Sequence, residues 1–209
     1  MMKDIIIVGA GGFGREVYYL IKRINEHTPT WNIKGFIDDN PHALDGVKCD
    51  ATIIGSISEW QPKADEFFAM GLASPATKEE LSALLKARGA KFATLIDPRT
   101  LLYDYVTFGE GCVVIAGMIS DNVTIGNFVH VAGSMIGQDS TIGDYSTTTG
   151  YANIVSAKLG KKVFVGSQAV VLNKVKVGDD AFVCVGSVVM KNVKSGAKVH
   201  GNPAQETYL

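Results

Sequence analysis

The sequence predicts a small α/β domain followed by a β-solenoid, and two patterns carry that expectation. From about Ile96 to Val193 an aliphatic residue recurs every six positions, usually with Gly next and a small or β-branched residue at the fifth place. Ahead of it, short apolar runs alternate with helix-forming stretches, the pattern of a parallel sheet with crossover helices.

The α/β part reads in order. Asp4 to Val8 is a continuous apolar run, hence a buried strand, and Gly9-Ala10-Gly11-Gly12-Phe13-Gly14 turns it into a helix from Arg15 to Ile24. A second strand, Ile33 to Ile37, ends in Asp38-Asp39; a third, Glu66 to Met70, precedes a helix from Lys78 to Arg88, and Lys91 to Ile96 follows. The turn has the spacing G-x-G-x-x-G, which lets backbone N–H groups at a helix N-terminus approach a phosphate, and Asp38 stands where an acid could take ribose hydroxyls. A dinucleotide-binding dehydrogenase is one reading. The roughly 95 residues before the solenoid amount to about half of such a domain, which favours a mononucleotide or sugar-nucleotide site. A purely structural glycine turn is the third.

The solenoid can be counted openly. Units start at Ile96, Leu102, Phe108, Val114, Ile119, Ile125, Val131, Ile136, Ile142, Thr148, Ile154, Leu159, Val165, Val171, Val177, Val183 and Val189, and only Thr148 is not apolar. The units beginning at Val114, Val131 and Ile154 are one residue short. The first place is inward and the fifth must be small; the fifth places include Met118, Met135 and Lys158, of which Lys158 is the one charged entry. Roughly eighteen residues per rung gives about five rungs of a triangular prism, each burying its apolar face only against its neighbours. A β-sandwich, with strands of period two, does not fit.

Composition narrows the class. A net charge of −1 over 209 residues argues against nucleic acid as the main partner. No apolar run reaches the length of a membrane span, and no basic segment precedes a signal-peptide core, so a cytoplasmic location is expected. Cys49, Cys112 and Cys184 lack metal-ligand spacing and are expected as buried reduced thiols; no metal site is expected.

The glycine-turn half-domain, Asp38-Asp39, the hexapeptide solenoid and the closing Val199-His200-Gly201-Asn202-Pro203-Ala204 together resemble the bacterial sugar O-acyltransferase and nucleotide-amino-sugar N-acetyltransferase family of surface-glycan pathways. The resemblance covers nearly the whole chain. It implies a Rossmann-like domain over residues 1–95, a left-handed parallel β-helix with a C-terminal cap over 96–209, a homotrimer, and acetyl-CoA held as co-substrate between neighbouring solenoids. It puts the nucleotide sugar on Gly11, Gly12, Phe13, Asp38 and Asp39. The CoA thioester falls on Thr147, Gly166, Ser167, Val185 and Gly186, although glycine and serine are also required simply to turn a prism corner. Lys161, Lys162, Lys174 and Lys176 are either CoA-phosphate partners or ordinary solvated charges.

The chain departs from the family where the chemistry would be. Ile-Gly-His-Asp in relatives is Ile136-Gly137-Gln138-Asp139 here, and glutamine cannot accept a proton. Thr147 replaces a second histidine, Asp97-Pro98 a usual His-Pro and so a third, and Phe13 a fourth. Three explanations stay open. His130, one 17-residue rung before Thr147 and therefore beside it, is either a relocated base or an exposed loop histidine; Asp139 is another candidate base. An amine acceptor could react through positioning by Gln138 alone. Or the protein is a catalytically impaired nucleotide-sugar and CoA-binding trimer.

Overall fold

The computed structural model describes residues 2–207; the last two residues of the expected cap, Tyr208 and Leu209, lie outside the described residues. The first part is a five-stranded parallel sheet ordered β3-β2-β1-β4-β5, built from β1 (Lys3–Val8), β2 (Trp31–Ile37), β3 (Ile53–Gly55), β4 (Glu66–Met70) and β5 (Lys91–Phe92). Both faces of β1 are covered, as its uninterrupted apolar run requires. Ile5 and Ile7 pack with Val17, Leu20 and Ile21 of α1 (Gly12–His27), while Ile6 and Val8 share a core with Leu85 of α2 (Pro75–Ala87).

Three elements differ from expectation. α1 begins at Gly12, inside the glycine turn. α2 begins at Pro75 behind a Ser74 cap whose Oγ accepts the Thr77 amide at 3.4 Å. The run from Lys91 to Ile96 divides between two sheets: Ala93 N–H still bonds to Phe68 of the α/β sheet, whereas Leu95 N–H bonds to Cys112 of the solenoid. The three-residue β3 was too short to read as a strand.

The solenoid has three faces, each a parallel sheet running along its axis. It winds through six coils before Lys198–His200, one more than the repeat count suggests, because the first coil opens at Leu95 and the last closes its third side with a single Val177–Val193 bridge. Gln205–Thr207 pairs antiparallel with Lys198–His200 and covers that edge. The architecture is a Rossmann-like half-domain followed by a left-handed parallel β-helix.

From Val114 onward every counted unit start is buried, and the apolar ones form one continuous core with the apolar fifth places Cys112, Val123, Val129, Ala152, Val163, Ala169, Val175 and Ala181. Leu102, in the open first coil, is 43% exposed. Three of the counted fifth places are not inward. Met118, Met135 and Lys158 lie at outward strand positions, beside the inward Ile119, Ile136 and Leu159. Each belongs to a short unit, and the omitted residue precedes the strand, so the fifth-place role passes to the residue before: Ser134 and Ala157 are wholly buried. The corners also use less glycine than expected; Tyr105, Phe128, Tyr145 and Tyr151 all take left-handed φ near +60°, a conformation costly for residues with a Cβ and held here by coil-to-coil pairing. Of the three cysteines only Cys112 is buried, with its thiol pushed up to about 11 by desolvation; Cys49 and Cys184 are half-buried, all three free.

Two polar groups stand out. Thr148 occupies an inward place with its hydroxyl unpartnered among the described residues. Asp97, where the solenoid opens, is buried and accepts hydrogen bonds from Arg23 of α1 (2.8 Å) and from Arg99 (2.9 Å), tying helix to solenoid. Burial raises its pKa, but the bonds from the Arg99 side chain and amide and from Arg23 outweigh that and hold the carboxyl at about 2.

Thr148→Val removes an unsatisfied hydroxyl at nearly constant volume and is expected to raise unfolding stability by about 1 kcal/mol in denaturant titration. For Asp97 the folded pKa lies below the unfolded one, so its stabilisation is complete above about pH 4 and is lost as pH falls toward about 2. Asp97→Asn is expected to cost about 2–4 kcal/mol at pH 7 and distinctly less at pH 3; an equal cost at both pH values would contradict the ion-pair account.

Candidate functional site

The glycine turn sits at the C-terminal end of β1, beside β4, where the strand order reverses direction. Its three spaced glycines do different work. A Cβ on Gly14 would lie 2.0 Å from the Gly9 carbonyl oxygen, so this glycine is required for helix and strand to cross. Cβ atoms on Gly11 and Gly12 would meet nothing within 4 Å. That surface is open to a ligand.

Asp38 at the end of β2 is half-buried, and one carboxylate oxygen accepts the Ala10 amide (2.8 Å) while the other accepts that of Asn40 (2.9 Å). It shapes the glycine turn as much as it faces any ribose. Asp39 is exposed and accepts the Ser58 amide at 2.9 Å.

The first face of the solenoid carries an outward ladder of Leu95, Val113, His130, Thr147, Phe164 and Phe182, one residue from each coil. The α/β domain docks on its lower part. Beside that contact opens a cleft of about 470 Å³, walled by Phe13 and Glu16 of α1, Ala73 after β4, and the small residues of the corners between first and second faces, including Gly133, Thr149 and Ser167. Of the residues expected at the ligands, Phe13, Thr147 and Ser167 meet here. Gly166 is buried a step away, and its glycine is accounted for by coil stacking, since a Cβ would lie 2.6 Å from the Val185 amide. Val185 and Gly186 form the next, exposed corner, where a Gly186 Cβ would meet nothing within 4 Å.

Gln138 and Asp139 lie elsewhere, exposed on the corner between second and third faces, where Asp139 accepts a hydrogen bond from Asn122 of the preceding coil. The lysines expected as possible phosphate partners are also away from the cleft; Lys161 pairs with Asp144, and Lys162 with Glu79 and Asp180.

His130 pairs in register with Thr147, as the 17-residue spacing implies. It is not an exposed loop residue, however. It is wholly buried, both ring nitrogens lack a partner among the described residues, and the Phe13 ring stacks on it at 4.7 Å and 19°. The outward place became an interior one because the α/β domain covers this ladder. Burial first, and then the nearby Lys78 cation, hold its pKa well below 6.5, so the imidazole is neutral at pH 7.

Lys78 escaped the sequence reading. It is completely buried, and its Nζ donates to the carbonyls of Phe128 and Ser146 (both 2.9 Å) and to the Thr147 hydroxyl (2.8 Å), which itself donates to the Ala73 carbonyl (2.7 Å). The available signal was its place on the buried stripe of α2, with Ser82 and Leu85.

Residues 4–85 match the family described as the PglD N-terminal domain. Over the whole chain the fold resembles the acetyltransferase domain of PglB from Neisseria gonorrhoeae FA1090 (TM-score 0.89, 20% identity, covering 98% of this chain and 100% of that one). It also resembles WeeI from Acinetobacter baumannii AYE (0.84, 28%, 99% and 100%). PerB from Caulobacter crescentus, solved in complex with CoA and GDP-perosamine, aligns at TM-score 0.87 and 20% identity over 100% of this chain and 99% of that one. Among curated proteins, YvoF of Bacillus subtilis (strain 168) is 42% identical over 50 residues, which span 24% of this chain and 29% of that protein.

The two glycines separate structure from surface. Gly14→Ala is expected to destabilise the protein by more than about 3 kcal/mol or abolish folding, whereas Gly12→Ala, at the helix start, leaves the unfolding midpoint unchanged or slightly higher. Comparable losses in both, measured by thermal unfolding, would contradict the assignment of Gly12 to an open surface.

Proposed function

We propose that this protein transfers acetyl from acetyl-CoA to the amino group of a nucleotide-linked sugar used for bacterial surface glycans. The observation that carries this reading is the cleft that joins an open glycine turn to the small-residue corners of a β-helix. PerB, of the same fold, was solved with CoA and a nucleotide-linked sugar, and PglB with acetyl-CoA. In this reading residues 1–95 hold the nucleotide sugar, through Gly11, Gly12, Phe13, Asp38 and Asp39, and 96–209 hold the thioester along Thr147, Gly166, Ser167, Val185 and Gly186.

The working unit is a homotrimer in the cytoplasm. Gln138 and the cleft lie on different edges of one chain, so a second copy must bring them together. The second face supports this, since its outward ladder of Leu101, Met118, Met135, Asn153, Val170 and Val188 is apolar at every place but Asn153, and Leu101 and Met135 are 54% and 45% exposed. Such a stripe suits burial against a neighbour. Among the described residues no helix is long and apolar enough to cross a membrane.

In the reaction the acceptor amine attacks the thioester carbon, the carbonyl oxygen takes the negative charge, and collapse expels CoA thiolate, which takes up the proton lost by nitrogen. Gln138 contributes a hydrogen bond that orients the amine. His130 is wholly buried behind Phe13 with no hydrogen-bond partner among the described residues, and Asp139 is an exposed carboxylate, so positioning of an already neutral amine replaces general-base catalysis. The rate then rises with pH as the acceptor ammonium deprotonates.

The test is thiol release from acetyl-CoA with UDP-, GDP- and dTDP-linked amino sugars. Release with one of them is expected. Nucleotide-sugar binding without release from any would favour the non-catalytic trimer, and NAD(H) binding without CoA binding a dehydrogenase. His130→Phe, which retains the stack on Phe13, is expected to leave kcat within about twofold, while Gln138→Ala lowers kcat/KM about tenfold; a fall of 10²–10⁴ in His130→Phe would restore histidine as the base.

A further inference from the structure

Lys78 is a buried cation without a buried counter-charge among the described residues. Its side chain is wholly buried and forms no ion pair with any described carboxylate; its three partners are neutral oxygens. Hydrogen counting nevertheless requires the ammonium. Thr147 has one hydroxyl proton, and it goes to the Ala73 carbonyl, so the bond between Thr147 and Lys78 must be donated by lysine, as must those to Phe128 and Ser146. Three donated protons fit NH₃⁺ and not a neutral amine. Burial, which pushes this pKa well below 10.5, thus opposes the form that the hydrogen bonds demand.

The cation lies behind the cleft wall, because its partner Thr147, and Ala73 whose carbonyl Thr147 bonds, are among the residues that line the cleft. The other titratable groups near it offer no compensation. His130 is held neutral, the Cys112 thiol is held protonated, and Glu79 of α2 is engaged with Lys162. The carboxylate on the cleft wall, Glu16, is exposed on α1. An uncompensated buried charge is costly, and a low-dielectric site transmits it far better than water does. The cleft meanwhile runs from Phe13, at the end of the open glycine turn, over Thr147.

We propose that Lys78 is a positioning residue whose buried ammonium receives its counter-charge from the diphosphate of the ligand entering this cleft. The inference rests on the nucleotide-sugar reading above and adds the residue that makes the cleft selective for a diphosphate over an uncharged nucleoside. It also makes ligand binding and domain docking one event, since the same ammonium joins α2 to two solenoid coils.

The experiment is calorimetric titration of UDP, GDP and inorganic pyrophosphate, with uridine and guanosine as uncharged controls, into wild type, Lys78→Met and Lys78→Arg. Lys78→Met is expected to weaken the diphosphates by tenfold or more while nucleoside affinity stays within twofold, and Lys78→Arg to recover most of the loss. Equal weakening of nucleosides and diphosphates would mean a merely structural lysine and overturn the proposal, as would unchanged diphosphate affinity. Should Lys78→Met fail to fold, the Lys78 ε-carbon resonance in wild type decides: its pKa rises when pyrophosphate is added, and an unmoved titration overturns the proposal. If wild type releases thiol from acetyl-CoA yet Lys78→Met binds diphosphates normally, this inference alone fails. If wild type binds no diphosphate and releases no thiol, the functional reading fails with it.

Discussion

Everything in this molecule depends on the parallel pairing of each coil with the next at a separation of 17 or 18 residues, as in His130 with Thr147 and Phe164 with Phe182. That pairing satisfies the backbone of every coil through its neighbours and leaves few degrees of freedom at the corners. Residues as large as Tyr151 and Phe128 are thereby forced into left-handed φ. It also converts a linear sequence into ladders, so that one face presents His130 and Thr147 to the α/β domain while another presents Met118 and Met135 outward.

The two domains meet on one such ladder, and the junction is more polar than an ordinary hydrophobic dock. Asp97 between two arginines fastens α1, and Lys78 with Thr147 fastens α2. Both contacts bury charge, which contributes specificity of orientation more surely than net stability. Orientation is what the cleft needs, because its walls come from both domains. A slip of one coil would replace Thr147 with His130 or Phe164 opposite Lys78, and the acceptors for its three protons would not be reproduced.

Much of this was legible in the residues alone. The six-residue period gave the solenoid and nearly all of its inward residues, and the spacing of Gly9, Gly11 and Gly14 gave the turn. What it missed has physical causes. Met118, Met135 and Lys158 looked like fifth places because a one-residue deletion does not announce where in the unit it falls. His130 looked outward because a period within the solenoid cannot reveal that another domain covers that face. Lys78 was read only as the start of a helix, because a single sequence shows its spacing with Ser82 and Leu85 but not the oxygens that surround it. Asp38 was read as a ribose ligand, and its bonds to Ala10 and Asn40 show the structural task that the same residue performs. In each case the local pattern was right and the long-range partner was invisible.

The central claim is that one cleft, completed by a neighbouring copy, holds both the nucleotide and the thioester. A crystal structure of the protein soaked with CoA and a UDP- or GDP-linked amino sugar tests it most directly. The account requires the diphosphate at the open face of Gly11 and Gly12, the sugar amine between Phe13 and the Gln138 of an adjacent subunit, and the pantetheine arm along Thr149, Ser167 and Gly186. A nucleotide bound away from the glycine turn, or CoA in a groove formed by one chain alone, would contradict it.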